Sequence, residues 1–153
     1  MRVLMVCMGN ICRSPTAEGV LRELALRAGL ELEVDSAGTH GYHVGAAPDP
    51  RAIDHAARRG YSIGSLRART VSVADFERFD LILAMDEANL ARLRHDCPAP
   101  HAHKLGLLMR YAPADGVREV PDPYYGDADG FERVLDLVEG AARGLIAELG
   151  GRG

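Results

Sequence analysis

The chain has 153 residues, 47% hydrophobic and 26% charged, which is the composition of a folded domain and excludes a disordered or fibrous chain. Its net charge of −4, with no basic stripe, argues against nucleic-acid binding. Three cysteines do not fit a secreted disulfide scaffold, and no run approaches the ~18 apolar residues of a membrane span. We therefore expect a single domain over residues 1–149, a flexible tail at 150–153, and a cytoplasmic protein with reduced thiols and no membrane contact.

Strand-like and helix-like segments alternate along the chain. The patterns predict strands at Val3–Val6, Leu32–Ala37, Leu81–Ala84 and His101–Lys104. They predict a helix opened by Ser14 as N-cap and Pro15, then helices at 50–60, 72–79, 86–95, 105–111 and 131–149, with loops at 38–49 and 112–129. Such alternation predicts a parallel sheet with helices on both faces, whose ligands bind beyond the carboxyl ends of the strands. The turn after the first strand is therefore where we expect the chemistry.

That turn has the features of an anion-binding loop. It reads Cys7, Met8, Gly9, Asn10, Ile11, Cys12, Arg13 and Ser14. Backbone N–H groups in such a loop converge on an anion at a helix N-terminus, and Gly9 and Asn10 tolerate the positive φ that a tight loop requires. Arg13 offers a planar fork for two phosphate oxygens. The Lys of a nucleotide-binding Walker motif is absent, and a thiol stands at the entrance instead.

The thiol indicates the kind of reaction. A field that binds phosphate also stabilises a thiolate, and Ser14 can donate its hydroxyl to the Cys7 sulfur. A thiolate beneath a bound phosphorus predicts in-line attack and a phosphocysteine intermediate. A lone cysteine here would more often be a buried structural residue, but the spacing to Arg13 and Ser14 reverses that interpretation.

The predicted loop at 112–129, called the late loop below, supplies a candidate general acid. Asp122 lies between Pro121 and Pro123, which stiffen the backbone and fix the position of its carboxyl group. A carboxyl group in this position could protonate a leaving phenolate or alkoxide. Asp127 is the competing acid, on a more flexible stretch. An acidic surface turn is the alternative interpretation of this loop.

The chain resembles the low-molecular-weight protein tyrosine phosphatases over nearly its whole length. The segments that carry the resemblance are Val6–Pro15 with Ala17 and Glu18 beyond it, Asp35–Gly38, Pro48–Arg51, Met85–Leu90 and Asp122–Gly126. The resemblance implies a flavodoxin-like α/β sandwich with a four-stranded parallel sheet of order 2-1-3-4. It also implies phosphotyrosine hydrolysis without cofactor or metal, with tyrosine-phosphorylated proteins or peptides as partners. We further expect inhibition by phosphate and other oxyanions, and a monomer, because a domain of this size is self-sufficient.

The resemblance also implies roles for individual residues. By position, Cys7 is the nucleophile, Arg13 the phosphate clamp, and Asp122 first the acid and then the base for water. The predicted supports of the loop are Asn10, Ser14, Ser36 and Glu18, and the predicted substrate slot is formed by Tyr42, Tyr124 and Tyr125. Cys12 resembles the family's second thiol, which can trap oxidised Cys7 as a disulfide. One departure is Leu66, at a position where some members carry His.

Related activities of the same fold remain as alternatives. Arginine phosphatases tend to carry Thr where this chain has Ile11, and the bulkier apolar side chain favours tyrosine. A thiol-dependent arsenate reductase needs two further cysteines, and only Cys97 lies outside the loop. A non-catalytic phosphate-binding module would not need Cys7, Arg13 and Asp122 together.

Two further clusters of side chains are candidates for a site. Cys97, His101 and His103 are close in sequence, but no second pair of ligands completes a metal site. The basic residues Arg58, Arg59, Arg67 and Arg69 are typical of a solvated face. Alternatively, they steer acidic phosphopeptides towards the site.

Overall fold

Four parallel strands form the centre of the molecule. The computed structural model describes residues 1–123, 126 and 128–150. The strands are β1 (Arg2–Cys7), β2 (Glu33–Gly38), β3 (Leu81–Ala84) and β4 (Leu105–Leu107), in the order β2-β1-β3-β4. Every neighbouring pair is parallel, with Val3 opposite both Val34 and Leu81. The predicted fold class and strand order are confirmed.

Helices cover both faces of this sheet. They are α1 (Arg13–Arg27), α2 (Pro50–Arg58), α3 (Val73–Arg78), α4 (Glu87–Asp96) and α5 (Ala128–Glu148), with 3-10 turns at Ala99–Lys104, Leu108–Tyr111 and Pro113–Asp115. Val3 and Met5 of β1 join the apolar side chains of α1 and α5, whereas Leu4 and Val6 join those of α3 and α4. A strand buried on both faces explains why β1 is a continuous apolar run. No helix in the described ranges is long and apolar enough to cross a membrane.

The predictions around the fourth strand were wrong. His101–Lys104 belongs to the 3-10 turn Ala99–Lys104, and the strand is the first part of the predicted helix, at Leu105–Leu107. Only the second part, Leu108–Tyr111, is helical, as a 3-10 turn. A proline stands before and another inside the first turn, which disfavours a strand there, and β4 is too short for alternation to reveal it.

The start of α1 also differs from the prediction. The helix begins at Arg13 with Cys12 as the N-cap, so Ser14 and Pro15 lie within the first turn. Proline is tolerated there because its missing N–H would have no partner inside the helix. The Ser14 hydroxyl is therefore not used as a cap, and it is available to the residues of the preceding loop.

The carboxyl ends of the strands bring distant segments to one edge of the sheet. β2 ends at Gly38 beside the loop after β1, where a Cβ atom would lie 2.7 Å from the Met8 carbonyl oxygen. Glycine is therefore required for this close approach. Beyond β3, the amide of Val120 donates to the Met85 carbonyl at 2.7 Å, which ties the late loop to the same edge.

Candidate active site

The loop between β1 and α1 is held in a strained shape by its neighbours. Asn10 has φ of 57°, and it is the only non-glycine residue with positive φ in the described part of the chain. The carbonyls of Cys7 and Met8 accept hydrogen bonds from the amides of Thr39 and His40 at 2.9 and 3.0 Å. Because C=O and N–H of one peptide unit point in opposite directions, anchoring the carbonyls outward turns the N–H groups towards the interior of the loop. The loop is thereby built as an anion cradle.

Hydrogen bonds to Ser14 determine the direction in which its hydroxyl group can donate. The Ser14 Oγ lies 3.0 Å from the Cys7 Sγ and accepts a hydrogen bond from Asn10 Nδ2 at 2.8 Å. Since the amide nitrogen is a donor only, the hydroxyl proton is free to point at sulfur. Ser14 is therefore placed to donate to a Cys7 thiolate.

The side-chain amide group of Asn10 is held by hydrogen bonds at both its nitrogen and its oxygen. Its Nδ2 also donates to Ser36 Oγ at 2.9 Å, and its Oδ1 accepts from the Arg69 amide at 3.0 Å. These partners fix which end of the side chain is oxygen and which is nitrogen. The predicted supports Ser14 and Ser36 thus lie on the two sides of one asparagine.

Glu18 is the last, buried member of this series of hydrogen-bonded side chains. Ser36 Oγ donates to Glu18 Oε1 at 2.6 Å, and Arg22 pairs with the other carboxylate oxygen while also bonding the Val34 carbonyl. Burial raises the pKa of Glu18, and the hydrogen bonds from Ser36 and Arg22 offset this only in part. Because Glu18 accepts the Ser36 proton, Ser36 Oγ is left to accept from Asn10, and this holds the Asn10 amide in the orientation in which it also donates to Ser14.

Arg13 is buried and held by acidic groups from elsewhere in the chain. Its Nη1 donates to Asp86 Oδ2 at 2.7 Å and to the Val120 carbonyl at 3.1 Å. Burial alone would lower the pKa of Arg13, but Cys7, Asp86 and Asp122 outweigh it and the pKa is raised. The guanidinium group is therefore permanently charged and fixed in orientation, with donors left over for an oxyanion.

Asp122 is brought to the mouth of the loop. Its Oδ2 lies 3.7 Å from Arg13 Nη2, and its side chain is 46% exposed. From the other side, Arg51 Nη1 donates to the Gly126 carbonyl at 3.4 Å, and its guanidinium group lies 4.7 Å from the centre of the Phe131 ring. The candidate acid therefore stands on a segment that α2 and α5 both help to position.

These groups surround a cleft with a volume of about 340 Å³. Its floor includes Cys7 and Arg13, and Asp122, Ile11 and Tyr42 are among the residues that line its walls. Tyr42 is 72% exposed and stacks on His40, with ring centres 5.3 Å apart. The other two predicted walls, Tyr124 and Tyr125, and the competing acid Asp127 lie outside the described residues.

The two remaining thiols differ in environment. Cys12 lies in the wall of the cleft and is buried, and burial, with contributions from Asp49 and Cys7, raises its pKa to about 12. Cys97 is the C-cap of α4, which starts beside Asp86 and runs away from the site for ten residues. At 1.5 Å per residue, Cys97 is roughly 15 Å from the start of that helix. All three cysteines are free thiols.

Neither of the other clusters forms a site in the described part of the chain. No group of three or more His, Cys, Asp or Glu side chains there is arranged to hold a metal ion. Of the four arginines, Arg58 pairs with Asp54. Two others also pair with acidic side chains: Arg59 with residues of α5, and Arg69 with residues of β2 and α3. Most of the positive charge of this cluster is therefore neutralised within the molecule.

Sequence reasoning missed three groups that shape the site. The sequence placed Asp86 only at the start of the predicted helix 86–95. Its Oδ1 caps α4 by accepting from the Asn89 amide, and its Oδ2 accepts from Arg13. The Val120 carbonyl and the Arg69 amide act through the backbone, where side-chain identity gives no signal. For Asp86, its place directly beyond a parallel strand was the available clue.

The fold and the loop together define the class of protein. A 2-1-3-4 parallel sheet with a Cys-x5-Arg-Ser loop after its first strand is a flavodoxin-like phosphatase domain. The family model described as low molecular weight phosphotyrosine protein phosphatase matches residues 2–152, and the chain belongs to that family.

Individual relatives are similar over almost their full lengths. A low molecular weight protein-tyrosine-phosphatase of Streptomyces coelicolor is 47% identical, covering 95% of this chain and 92% of that protein. The crystal structure of a protein tyrosine phosphatase from Entamoeba histolytica, with Hepes in its active site, has a TM-score of 0.95 at 41% identity, covering 98% of this chain and 97% of that one. A Drosophila arginine phosphatase structure has a TM-score of 0.92 at 32% identity, covering 97% and 98%.

Proposed function

We propose that this protein hydrolyses phosphotyrosine in proteins or peptides through a phosphocysteine intermediate on Cys7, without a metal ion. The observation that carries the proposal is the position of the Cys7 sulfur, at the carboxyl end of β1 and 3.0 Å from the Ser14 hydroxyl group. The thiol thus lies under an anion cradle whose opposite side is closed by the Arg13 guanidinium group. Family membership supports the same activity.

The first step transfers the phosphoryl group to sulfur. The Cys7 thiolate attacks phosphorus, an S–P bond forms, and the P–O bond to the phenol breaks on the opposite side. The charge on the three equatorial oxygens is neutralised by the loop amides and by Arg13. Asp122, at the mouth of the cleft, gives its proton to the leaving phenolate.

The second step returns the enzyme to its starting state. Asp122, now a carboxylate, takes a proton from water as the water oxygen attacks phosphorus. The S–P bond breaks, inorganic phosphate leaves, and the Cys7 sulfur departs as a thiolate that Ser14 stabilises by its hydrogen bond. One carboxyl group thus acts as acid and then as base, as microscopic reversibility requires for two successive transfers at one phosphorus.

The depth of the cleft accounts for a preference among phosphate esters. Cys7 is only 3% exposed, so the phosphorus of a substrate must reach well below the rim formed by Tyr42. A phenyl ring spans that depth, whereas a phosphoserine is too short to bring its phosphorus to the sulfur. We infer that tyrosine-phosphorylated proteins or peptides are the partners.

The same cradle favours inhibition by free oxyanions. The Entamoeba histolytica relative is described with Hepes, a sulfonate, in its active site. We infer that phosphate and similar anions compete with substrate at the Cys7 loop, and that residues 1–149 act as one monomeric domain. The three free thiols fit a reducing, cytoplasmic compartment.

Phosphoarginine is the second candidate substrate because one structural neighbour is an arginine phosphatase. Ile11 lines the cleft and presents an apolar side chain where a guanidinium group would have to pass. With matched peptides in the presence of EDTA, we expect kcat/KM to favour phosphotyrosine by roughly tenfold or more, the scale of discrimination by a hydrophobic pocket. Ile11→Thr should narrow this ratio, and Ile11→Val is the control of similar size without a hydroxyl group. A wild-type preference for phosphoarginine would contradict the proposed substrate.

Arsenate reduction is not supported by the placement of the thiols. That chemistry requires a relay of two cysteines beyond the nucleophile. Apart from Cys12 in the loop itself, the chain has only Cys97, at the far end of α4.

Cys12 is proposed as the partner that protects oxidised Cys7. Peroxide converts the Cys7 thiolate to a sulfenic acid, which condenses with the Cys12 thiol to form a disulfide and water. The raised pKa of Cys12 keeps its sulfur protonated, so Cys7 is the thiol that peroxide attacks first. After brief peroxide treatment and then dithiothreitol, we expect wild type to regain most of its activity and Cys12→Ser to lose most of it irreversibly. Equal recovery of both proteins would remove Cys12 from this role.

A further inference from the structure

A second groove lies beside β4, the edge strand of the sheet. It has a volume of about 550 Å³, and Leu105, Leu107 and Val117 contribute an apolar surface to it. Its other side chains include Arg94, Arg110 and Arg118, from α4, the 3-10 turn Leu108–Tyr111 and the late loop. We call this feature the basic groove.

The charges of the basic groove are largely available to a ligand. Glu87 is the only acidic side chain among its lining residues, and it pairs with Arg118 at 2.5 Å. That pair is exposed, with side chains 79% and 46% accessible, so it competes weakly with another carboxylate. Arg110 lies over the Tyr111 ring, 4.8 Å from its centre, and Arg94 has no acidic partner among the described residues. Among the lining residues the three arginines outnumber the single glutamate by two, and Glu119, whose carboxylate accepts from the Glu87 amide, offsets part of the charge of Arg118.

The basic groove is continuous with the catalytic cleft. A depression between them is lined by Asp86 and Asp122 at one end and by Val117 and Arg118 at the other, with Glu119 and Arg133 alongside. Asp122 also lines the catalytic cleft, and Arg118 also lines the basic groove. Arg118 and Asp122 are four residues apart, so even a fully extended chain places them within roughly 14 Å of one another. A bound peptide therefore reaches the groove a few residues beyond its phosphotyrosine.

We propose that the basic groove binds an acidic segment of the substrate protein, a few residues from the phosphotyrosine held over Cys7. The proposal rests on the proposed function and adds the sequence context of the substrate. Its occupant is chosen by charge: carboxylates of the segment pair with Arg94 and Arg118, and an apolar side chain between them rests on Leu105 and Val117. A groove with both arginines and apolar surface selects a mixed acidic and hydrophobic segment over a purely acidic one.

The test uses three synthetic phosphotyrosine peptides of equal length. One carries Glu-Leu-Glu after a four-residue Gly-Ser spacer, one carries Gln-Leu-Gln there, and one carries the acidic segment before the phosphotyrosine. We expect wild type to cleave one of the two acidic peptides with a kcat/KM roughly fivefold above that of the neutral peptide, the upper range for one exposed ion pair. The advantage should shrink as salt is added.

Two variants separate the groove from net charge. The double variant Arg94→Gln, Arg118→Gln should cleave the acidic peptide that wild type prefers no faster than the neutral peptide. It should hydrolyse a small aryl phosphate as fast as wild type. Arg92→Gln removes one positive charge from α4 outside the groove, where Arg92 pairs with Asp96 at 3.0 Å, and it should keep the preference. Equal cleavage of all three peptides by wild type, or an equal loss in Arg92→Gln, would overturn the proposal. Failure to hydrolyse the aryl phosphate at all would instead contradict the proposed function.

Discussion

Replacing Cys7 with serine is expected to reduce kcat for an aryl phosphate by on the order of 10⁴- to 10⁶-fold, the scale seen when a covalent nucleophile is removed. A serine hydroxyl in the same place is mostly protonated, and neither the loop amides nor Arg13 make it a comparable nucleophile. The cradle itself is unchanged by this substitution, so inorganic phosphate should still bind. Binding and turnover are therefore expected to separate in this variant.

The chain offers a matched control for that experiment. Cys97→Ser makes the same chemical change at the far end of α4, and it should leave kcat and KM at the wild-type values. All assays contain EDTA. Substantial turnover by Cys7→Ser, or a large loss in Cys97→Ser, would mean that the reaction takes place at another group.

Replacing Asp122 with asparagine should have the second largest effect, and one that depends on the leaving group. Esters of poorly acidic phenols need a proton on departure, so we expect a loss of about 10²- to 10⁴-fold for them, the range of general acid catalysis. Esters of strongly acidic phenols leave without that help and should suffer much less in the first step. The measurement is kcat/KM across a series of substituted phenyl phosphates, whose dependence on phenol pKa should steepen in the variant.

Asp127→Asn is the informative comparison because Asp127 is the competing candidate for the general acid in the same loop. In this variant, kcat/KM should depend on the pKa of the leaving phenol as it does in wild type. A steeper dependence in Asp127→Asn together with an unchanged one in Asp122→Asn would reassign the general acid. A uniform loss across all leaving groups in Asp122→Asn would reduce Asp122 to a group that merely orients Arg13, from which it lies 3.7 Å.

The sequence could relate the residues of the loop after β1 to one another because they are contiguous. Cys7, Asn10, Arg13 and Ser14 occupy one turn between a strand and a helix, and local backbone rules are sufficient to relate them. The prediction that Ser14 caps the helix was nevertheless wrong, because α1 begins at Arg13, two residues before the predicted first residue Pro15. The hydroxyl group instead bridges Asn10 and the Cys7 sulfur.

What the sequence could not supply were groups that arrive from distant segments. Asp86 follows β3 and Val120 lies in the late loop, yet both bind Arg13. Their convergence depends on strand order, which is a property of the whole sheet. β4 was misplaced for the opposite reason: three residues are too few to show a period of two, and burial against β3 decides their conformation.

The basic groove illustrates the same limit at the surface. Its three arginines come from α4, a 3-10 turn and the late loop, and nothing in their spacing relates them. The arginine cluster that was visible in the sequence is, in contrast, mostly paired with acidic neighbours within the fold. The proposed recognition surface therefore depends on arginines that only the fold brings together.

The central claim is that phosphorus passes through the sulfur of Cys7. The most direct measurement mixes Asp122→Ala with an aryl phosphate that has a good leaving group, quenches in acid within milliseconds, and locates the phosphoryl group by peptide mass spectrometry. Asp122→Ala lacks the base for the second step, so the intermediate should accumulate after a burst of released phenol. We expect the phosphoryl group on the peptide containing Cys7, at Cys7 itself. A burst with the phosphoryl group on any other residue, or steady release of phenol with no phosphoenzyme, would contradict the account.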